Sequence, residues 1–318
     1  MLSVVIPAYN EESMIPKTAG TISGILEKEN IDYELLFVCD GSVDRTWDEI
    51  YNAHKKNNHV KGIRFSRNFG KESAMFAGLA ASEGDCVVVI DCDLQHPPEK
   101  IIEMYRLWEE GYEIVEGVKR SRGEESGAHS LAAKTFYHMI SNATGIDMSH
   151  ASDFKLLDRK VVNVLLNMHE KNAFFRALSS WVGFRSTQVE YDVREREAGK
   201  SKWNTRSLVK YALTNITSFT STPMQIVTGL GLVFFVLSLI CFIIAICQVA
   251  TGTALEGFKS VMILQCFTSS IIMISIGIVG YYIAKIYDEV KGRPRYIIAE
   301  TIGKKLEEND EKDKRIAH

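Results

Sequence analysis

Two aspartates, one residue apart, close an apolar run: Val88-Val89-Ile90-Asp91-Cys92-Asp93-Leu94-Gln95-His96-Pro97-Pro98. If the run is a buried strand whose geometry persists, alternation sets Asp91 and Asp93 on one side. Carboxylates on one side repel unless a cation lies between them. Hard oxygen ligands suit Mg2+ or Mn2+, which also bind substrate phosphates. The spacing therefore predicts a metal pair at Asp91 and Asp93, with Gln95 adding a neutral oxygen. His96 reads as a turn residue rather than a ligand. Two further polar clusters end apolar runs. In Asp40-Gly41-Ser42-Val43-Asp44, Asp40 accepts from a base N–H or ribose hydroxyl, or else belongs to a helix-cap turn. The other is Arg67-Asn68-Phe69-Gly70-Lys71.

These clusters need elements to hold them. Strand-like runs at 2–7, 33–39, 60–66, 85–91 and 112–118 alternate with helical periodicity at 12–30, 43–57, 72–82 and 98–110. A βαβα rhythm predicts a parallel sheet covered by helices, with ligands beyond the C-terminal strand ends. The polar motifs fall at those ends. A dinucleotide cofactor is disfavoured, because Pro7-Ala8-Tyr9-Asn10-Glu11 stands where a Gly-x-Gly-x-x-Gly turn is needed. Gly199-Lys200-Ser201 looks like the end of a P-loop, but position 194 is Arg and no suitable strand precedes it.

Composition narrows the class. The chain has 318 residues, and 37 Lys+Arg against 40 Asp+Glu give a net charge of −3. That excludes a strongly basic chain built for nucleic-acid backbones, so no nucleic-acid partner is expected. With 46% hydrophobic and 24% charged residues, disordered and collagen-like chains are excluded too.

The charge is unevenly spread: residues 211–255 and 260–284 contain no Asp, Glu, Lys or Arg. A helix rises about 1.5 Å per residue, so roughly 20 apolar residues cross a bilayer. The runs 224–250 and 261–284 are both long enough, and two C-terminal transmembrane helices are expected. Gly229, Gly231, Gly277 and Gly280 would allow close helix packing. Lys200, Lys202, Arg206 and Lys210 precede the first run; Lys285, Lys291, Arg293 and Arg295 follow the second. The positive-inside rule puts both ends in the cytoplasm. Met1 leads into a strand-like run rather than a signal peptide, which also keeps the polar part cytosolic. Residues 203–222 read as an interfacial amphipathic helix at the headgroups, or as an ordinary domain helix. Cysteines at 39, 86, 92, 241, 247 and 266 lack zinc-site spacing and read as reduced packing residues.

Taken in order, Val5-Ile6-Pro7-Ala8-Tyr9-Asn10-Glu11, Asp40-Gly41-Ser42-x-Asp44, Arg67-Asn68-Phe69-Gly70-Lys71 and Asp91-x-Asp93-x-Gln95-x-Pro97-Pro98-Glu99 resemble family 2 inverting glycosyltransferases of the GT-A fold. Ser152-Asp153-Phe154-Lys155-Leu156-Leu157-Asp158-Arg159 and Arg194-x-Arg196-x-x-Gly199-x-Ser201-Lys202-Trp203 resemble one branch, the polyisoprenyl-phosphate glycosyltransferases. Bactoprenol glucosyltransferases and dolichyl-phosphate mannose synthase belong to it. Cys39 departs from the family pattern, which usually has an Asp there.

The resemblance implies a chain of four parts: a GT-A catalytic domain over 1–202, the interfacial helix over 203–222, two membrane helices within 223–287 and a cytosolic tail over 288–318. It implies that Pro7, Tyr9, Glu11 and Asp40 hold the nucleoside. Asp91, Asp93 and Gln95 would bind Mg2+ or Mn2+ on the diphosphate. Lys71 would serve the donor, while Arg120, Arg122, Arg196 and Lys202 would meet phosphates of donor or lipid. Asp153 would act as base, orient the acceptor, or form a structural salt bridge. The implied reaction moves glucose or N-acetylglucosamine from a UDP-sugar to polyprenyl (undecaprenyl) phosphate, with inversion, at the cytoplasmic face of the plasma membrane. A processive polysaccharide synthase is the rival enzyme, but the Gln-x-x-Arg-Trp motif of that class is missing. A non-catalytic membrane scaffold that binds nucleotide sugar is the other rival. Residues 291–305 either pack on a neighbouring subunit of a homo-oligomer or hang loose.

Overall fold

The computed structural model describes residues 1–120, 152–168, 174–192, 222–250 and 257–303. The chain divides into two compact units, one containing a mixed sheet and the other two long helices.

The first unit begins β1 (Leu2–Ala8), α1 (Ile15–Lys28), β2 (Tyr33–Cys39), α2 (Thr46–Lys56), β3 (Val60–Phe65), α3 (Lys71–Ala81) and β4 (Cys86–Val89). It continues with α4 (Lys100–Glu109), β5 (Ile114–Lys119), β6 (Lys155–Asp158), α5 (Arg159–Leu166), α6 (Phe175–Trp181) and β7 (Ser186–Tyr191). Strand β8 (Ile298–Ile302) closes it. β1 and β2 are apolar and buried along almost their whole length, as strands covered on both faces must be. α1 starts with a proline in its first turn and buries Ile15, Ala19, Ile22 and Leu26, the stripe that a helical repeat places on one face. α3 lies close on β1 at Gly78, where a Cβ would come within 2.2 Å of Val5 Cγ1.

The strand order is β7-β5-β6-β4-β1-β2-β3-β8. β4, β1, β2 and β3 run parallel, as do β5 and β7, whereas β6 and β8 are antiparallel to their neighbours. From central β1 the chain first builds outward through β2 and β3, then returns to place β4 on the other side of β1. That reversal is a topological switch point, and ligands of open α/β sheets bind outside the strand ends there. β6 enters between β4 and β5 in the opposite direction, with Lys155 beside Val89. Residues that precede β6 are thereby delivered to the C-terminal end of β4.

The tail expected over 288–318 is not all tail. Ile298–Ile302 pairs with β3, Gly62 facing Ile302 and Arg64 facing Glu300. Glu300 accepts from Trp47 Nε1 and Arg64 Nη1, both at 2.9 Å. β1 to β5 and α1 to α4 match the expected alternation, with ends displaced by a few residues, whereas β6, α5, α6 and β7 lie beyond it.

The second unit contains α7 (Thr222–Ala250) and α8 (Phe258–Val290), with the Phe234 and Phe267 rings 5.2 Å apart. Leu232, Phe235, Ile272 and Met273 are all more than half exposed. Thr268 and Ser275 turn their hydroxyls back onto carbonyls of their own helix, Leu264 and Ile271, at 2.7 Å. Among the described residues one stretch, Phe267–Val290, is long and apolar enough to cross a membrane by length and composition. The expected interfacial helix over 203–222 lies almost wholly outside the described residues.

Candidate active site

Three loops converge at the switch point. The first, after β1, and the second, after β2, are laced together by main-chain and side-chain bonds. Asn10 N–H donates to Ser42 Oγ at 3.0 Å, and Val43 N–H returns a bond to Asn10 Oδ1 at 2.9 Å. Glu11 N–H donates to Thr46 Oγ1 (2.9 Å), Glu12 N–H to Asp44 Oδ2 (3.2 Å) and Arg45 N–H to Glu12 Oε2 (3.0 Å). Short polar side chains thus satisfy turn amides that have no sheet partner. Tyr9 is 37% exposed on this surface and Pro7 is half-buried.

The third loop, Arg67 to Gly70, is tied to the second through Asp40. Phe69 N–H donates to Asp40 Oδ1 at 2.6 Å and Gly70 N–H to Asp40 Oδ2 at 2.9 Å. Burial pushes the Asp40 carboxyl up, against the lowering effect of those two donors. Both oxygens are therefore engaged with backbone, and the role visible for Asp40 is to hold a loop. The approach is tight: Gly41 has φ +61°, and a Cβ there would lie 2.2 Å from the Arg67 carbonyl carbon. Only glycine suits that position.

β4 stops at Val89, two residues before the aspartate pair, although Ile90 N–H still donates to Val5 O at 3.1 Å. Strand alternation therefore does not set Asp91 and Asp93; a turn with Leu94 at φ 56° does. The cause is visible on both sides. β6 gives β4 no partner beyond Val89, and Thr18 Oγ1 of α1 takes up the Cys92 carbonyl at 2.7 Å. Gln95 N–H donates to Asp93 Oδ1 at 3.2 Å. His96 is buried against Phe154 (rings stacked, centroids 5.1 Å apart) and edge-on to Tyr191, a packing role rather than a ligand's.

Asp91 belongs to an ion cluster that reaches across the sheet. The Lys71 ammonium lies 2.6 Å from Asp91 Oδ1 and 2.8 Å from Asp153 Oδ2. Asp153 is gripped from its other side by Arg176, with Nε at 2.6 Å from Oδ1 and Nη2 at 2.8 Å from Oδ2. Burial acts to raise the Asp153 carboxyl, but Arg176 and Lys71 overcome it and hold the group well below the usual carboxylate range. Asp91 is likewise lowered overall, burial being outweighed by Lys71 and His96. Glu72 goes the other way: burial and the neighbouring Asp153 push it up to about 7, while Phe175 N–H donates to its Oε2 at 2.9 Å.

Beneath the cluster, fully buried Lys155 meets Glu116 Oε1 at 2.8 Å and Ser179 Oγ at 2.8 Å. It thereby ties β6 to α6, the helix that carries Arg176. Neither Glu72 nor Arg176 stands in a recognised motif. The available signal for Arg176 is a single charge inside Ala173-Phe174-Phe175-Arg176-Ala177-Leu178.

Of the other expected residues, Arg120 is exposed and pairs with Glu190 at 3.1 Å. Arg122, Arg196 and Lys202 lie outside the described residues. Among the described residues no group of three or more His, Cys, Asp or Glu forms a metal cluster. The donors at the β4 end nevertheless suit a hard cation. Asp91 and Asp93 supply carboxylate oxygens, and Cys92 between them is buried, its thiol pushed up first by burial and further by Glu11, Asp93 and Asp91. No soft thiolate competes, and a bound diphosphate would supply the remaining oxygens.

Residues 3–176 match the glycosyl transferase family 2 domain. The chain belongs to that family; it is a glycosyltransferase with a GT-A-like α/β fold and a mostly parallel sheet. It is 39% identical over 303 residues to the uncharacterized glycosyltransferase YkcC of Bacillus subtilis, covering 95% of this chain and 94% of that one. It is 36% identical to the prophage bactoprenol glucosyl transferase homolog of Escherichia coli, over 93% of this chain and 98% of that one. The bactoprenol glucosyl transferase of Shigella phage SfII is 37% identical, over 93% and 97% of the respective chains.

Proposed function

We propose that the protein transfers glucose from UDP-glucose to a polyprenyl phosphate at the cytoplasmic face of the plasma membrane. The observation that carries this reading is the match to bactoprenol glucosyl transferases over 93% of the chain, a span too long for the 3–176 domain alone. Two charge-free runs within 211–284 support it, since a long isoprenoid tail keeps its phosphate at a membrane surface. The basic residues flanking those runs favour a two-span arrangement with both ends in the cytoplasm.

In this reading the donor diphosphate sits over the β4 end, held by Asp91, Asp93 and Gln95 through Mg2+ or Mn2+. The cation supplies charge for a departing nucleoside diphosphate. Pro7, near the end of β1, lines the nucleoside side with Tyr9 and Glu11, and Asp40 holds the loop that brings Lys71 to the phosphates. Arg120, Arg122, Arg196 and Lys202 would meet phosphate oxygens of donor or lipid. The acceptor attacks the anomeric carbon directly, inverting its configuration.

A phosphate monoester has a second pKa of about 6, so the acceptor is substantially dianionic at neutral pH and needs little help from a base. Asp153 is a poor base in any case, because Arg176 and Lys71 hold it ionised. Its part is to fix those two cations: Lys71 faces the donor phosphates and Arg176 steers the incoming anion.

The test is a donor panel offered to the full-length protein in detergent with undecaprenyl phosphate, analysed by mass. Lipid-linked hexose formed from UDP-glucose, with release of UDP that depends on the lipid, is the expected result. Lipid-independent release, or transfer to a growing polysaccharide, would overturn it.

A further inference from the structure

The segment Arg295 to Ile297 lies between α8 and β8, far in sequence from every motif of the site. It touches the residues that flank the Arg67–Lys71 loop on either side. Ser66 N–H donates to Ile297 O at 3.0 Å. The Tyr296 ring stacks on Phe65 with centroids 5.1 Å apart and an interplanar angle of 11°. Phe65 in turn meets Phe69 edge-on at 5.7 Å, and Phe69 N–H is one of the two donors to Asp40.

At the other end, the Arg295 guanidinium lies over the Phe76 ring of α3, 4.7 Å from its centroid, and donates to the Met168 carbonyl. The Arg295 carbonyl stands 3.4 Å from the Ser73 hydroxyl, which donates to Phe69 O at 3.1 Å. Lys71 is the first residue of α3, between these two anchors.

We infer that Arg295 and Tyr296 are positioning residues for donor binding: they hold the Arg67–Lys71 loop so that the Lys71 ammonium reaches Asp91 and the donor phosphates. The inference rests on the donor role proposed for Lys71 above. Strand pairing by β8 alone does not require it. An aromatic face stacked on Phe65 and a cation stacked on Phe76 are side-chain contacts outside the ladder, and both lead to the same loop. Stacked ring pairs and cation–π contacts are each strong enough to shift the population of one short loop.

The experiment uses the full-length protein with Tyr296→Ala, Tyr296→Phe and Arg295→Met. UDP binding in the presence of Mn2+ is measured without lipid, alongside amide exchange over 66–72 and the KM values of donor and acceptor. The expected result for Tyr296→Ala is about tenfold weaker UDP binding and a donor KM raised to match, with acceptor KM unchanged. Exchange at Phe69 and Gly70 quickens while β1 and β2 stay protected. Tyr296→Phe restores all of these, because the stack needs the ring and not the hydroxyl. Arg295→Met shows the same split between donor and acceptor, so the inference stays testable if Tyr296→Ala does not fold. Unchanged UDP affinity and loop exchange in Tyr296→Ala and Arg295→Met, with wild type binding UDP, would overturn the inference and leave the donor assignment intact. Wild-type protein that does not bind UDP would instead sink the donor assignment.

Discussion

Lys71 and Asp153 stand 82 positions apart in the sequence and meet at 2.8 Å. The contact exists because β6 runs against β4, so the residue just before β6 arrives where β4 ends. Lys71 also reaches Asp91 at 2.6 Å, which joins the end of β4 to the 153–176 side through one ammonium. Burial opposes the charge on Lys71, but Asp91 and Asp153 more than compensate and raise its pKa. It stays charged at any physiological pH.

Asp91→Asn and Asp93→Asn each remove a carboxylate from the proposed metal site without changing side-chain volume. Transfer should fall by about 100-fold or more in either variant, with the far-UV spectrum unchanged. Activity titrated with Mn2+ checks the cause: the variants should need more metal to reach a lower plateau. Full turnover at wild-type metal concentration would remove the aspartate pair from the reaction.

Asp153→Asn leaves two cations, Lys71 and Arg176, without their shared anion. Removing one partner of a buried pair costs about 3–5 kcal/mol, so a marked drop in Tm is expected. Arg176→Gln strips only one of the two cations and should cost less. The double variant should fall well short of the sum of the singles, because both break one network. Additive losses would show that the groups are independent.

Glu72 governs a pH dependence of stability. Its folded pKa is raised to about 7 from an ordinary 4.5, so between those values the folded chain binds more protons than the unfolded one. Stability from this group is full below about 4.5, declines as pH rises, and levels off above about 7. Glu72→Gln keeps an oxygen for the Phe175 amide and removes the titration. Chemical denaturation from pH 5 to pH 8 should show the variant gaining on wild type as pH increases. A constant difference across that range would contradict the assignment.

Gly41→Ala tests the contact between the second and third loops. The new methyl would collide with Arg67 backbone at 2.2 Å, in a conformation that disfavours a side chain. A loss of about 1–3 kcal/mol is expected, with faster amide exchange at Phe69 and Gly70. A stability equal to wild type would mean that the loops can separate freely.

How far the chain can be read without coordinates differs from element to element. β1, β2 and α1 announce themselves, the strands by continuous apolar runs and the helix by a buried stripe at 15, 19, 22 and 26. The Asp91–Asp93 pair is legible because it interrupts an apolar run, but its setting is not: a turn held by Thr18 replaces the expected strand. β6 is hard to foresee, since its first residue, Lys155, is charged yet fully buried, and Glu116 and Ser179 that accommodate it lie 39 positions before and 24 positions after it. Arg176 and Glu72 escape for the same reason: each acquires meaning only from Asp153 or Phe175, brought near by the sheet. β8 escapes because its short Ile-Ala-Glu-Thr-Ile pattern follows a long apolar helix, where a trailing end is the simpler reading.

β8 has a consequence for the order in which the protein is made. Until residues 298–302 leave the ribosome, β3 presents an open hydrogen-bonding edge. By then both long apolar helices have already been synthesised. The nascent sheet therefore waits, one side uncovered and able to pair with other chains, through the whole interval in which those helices seek their lodging. Shielding of that border by a chaperone, or prompt delivery of the helices, would keep it from pairing with other chains.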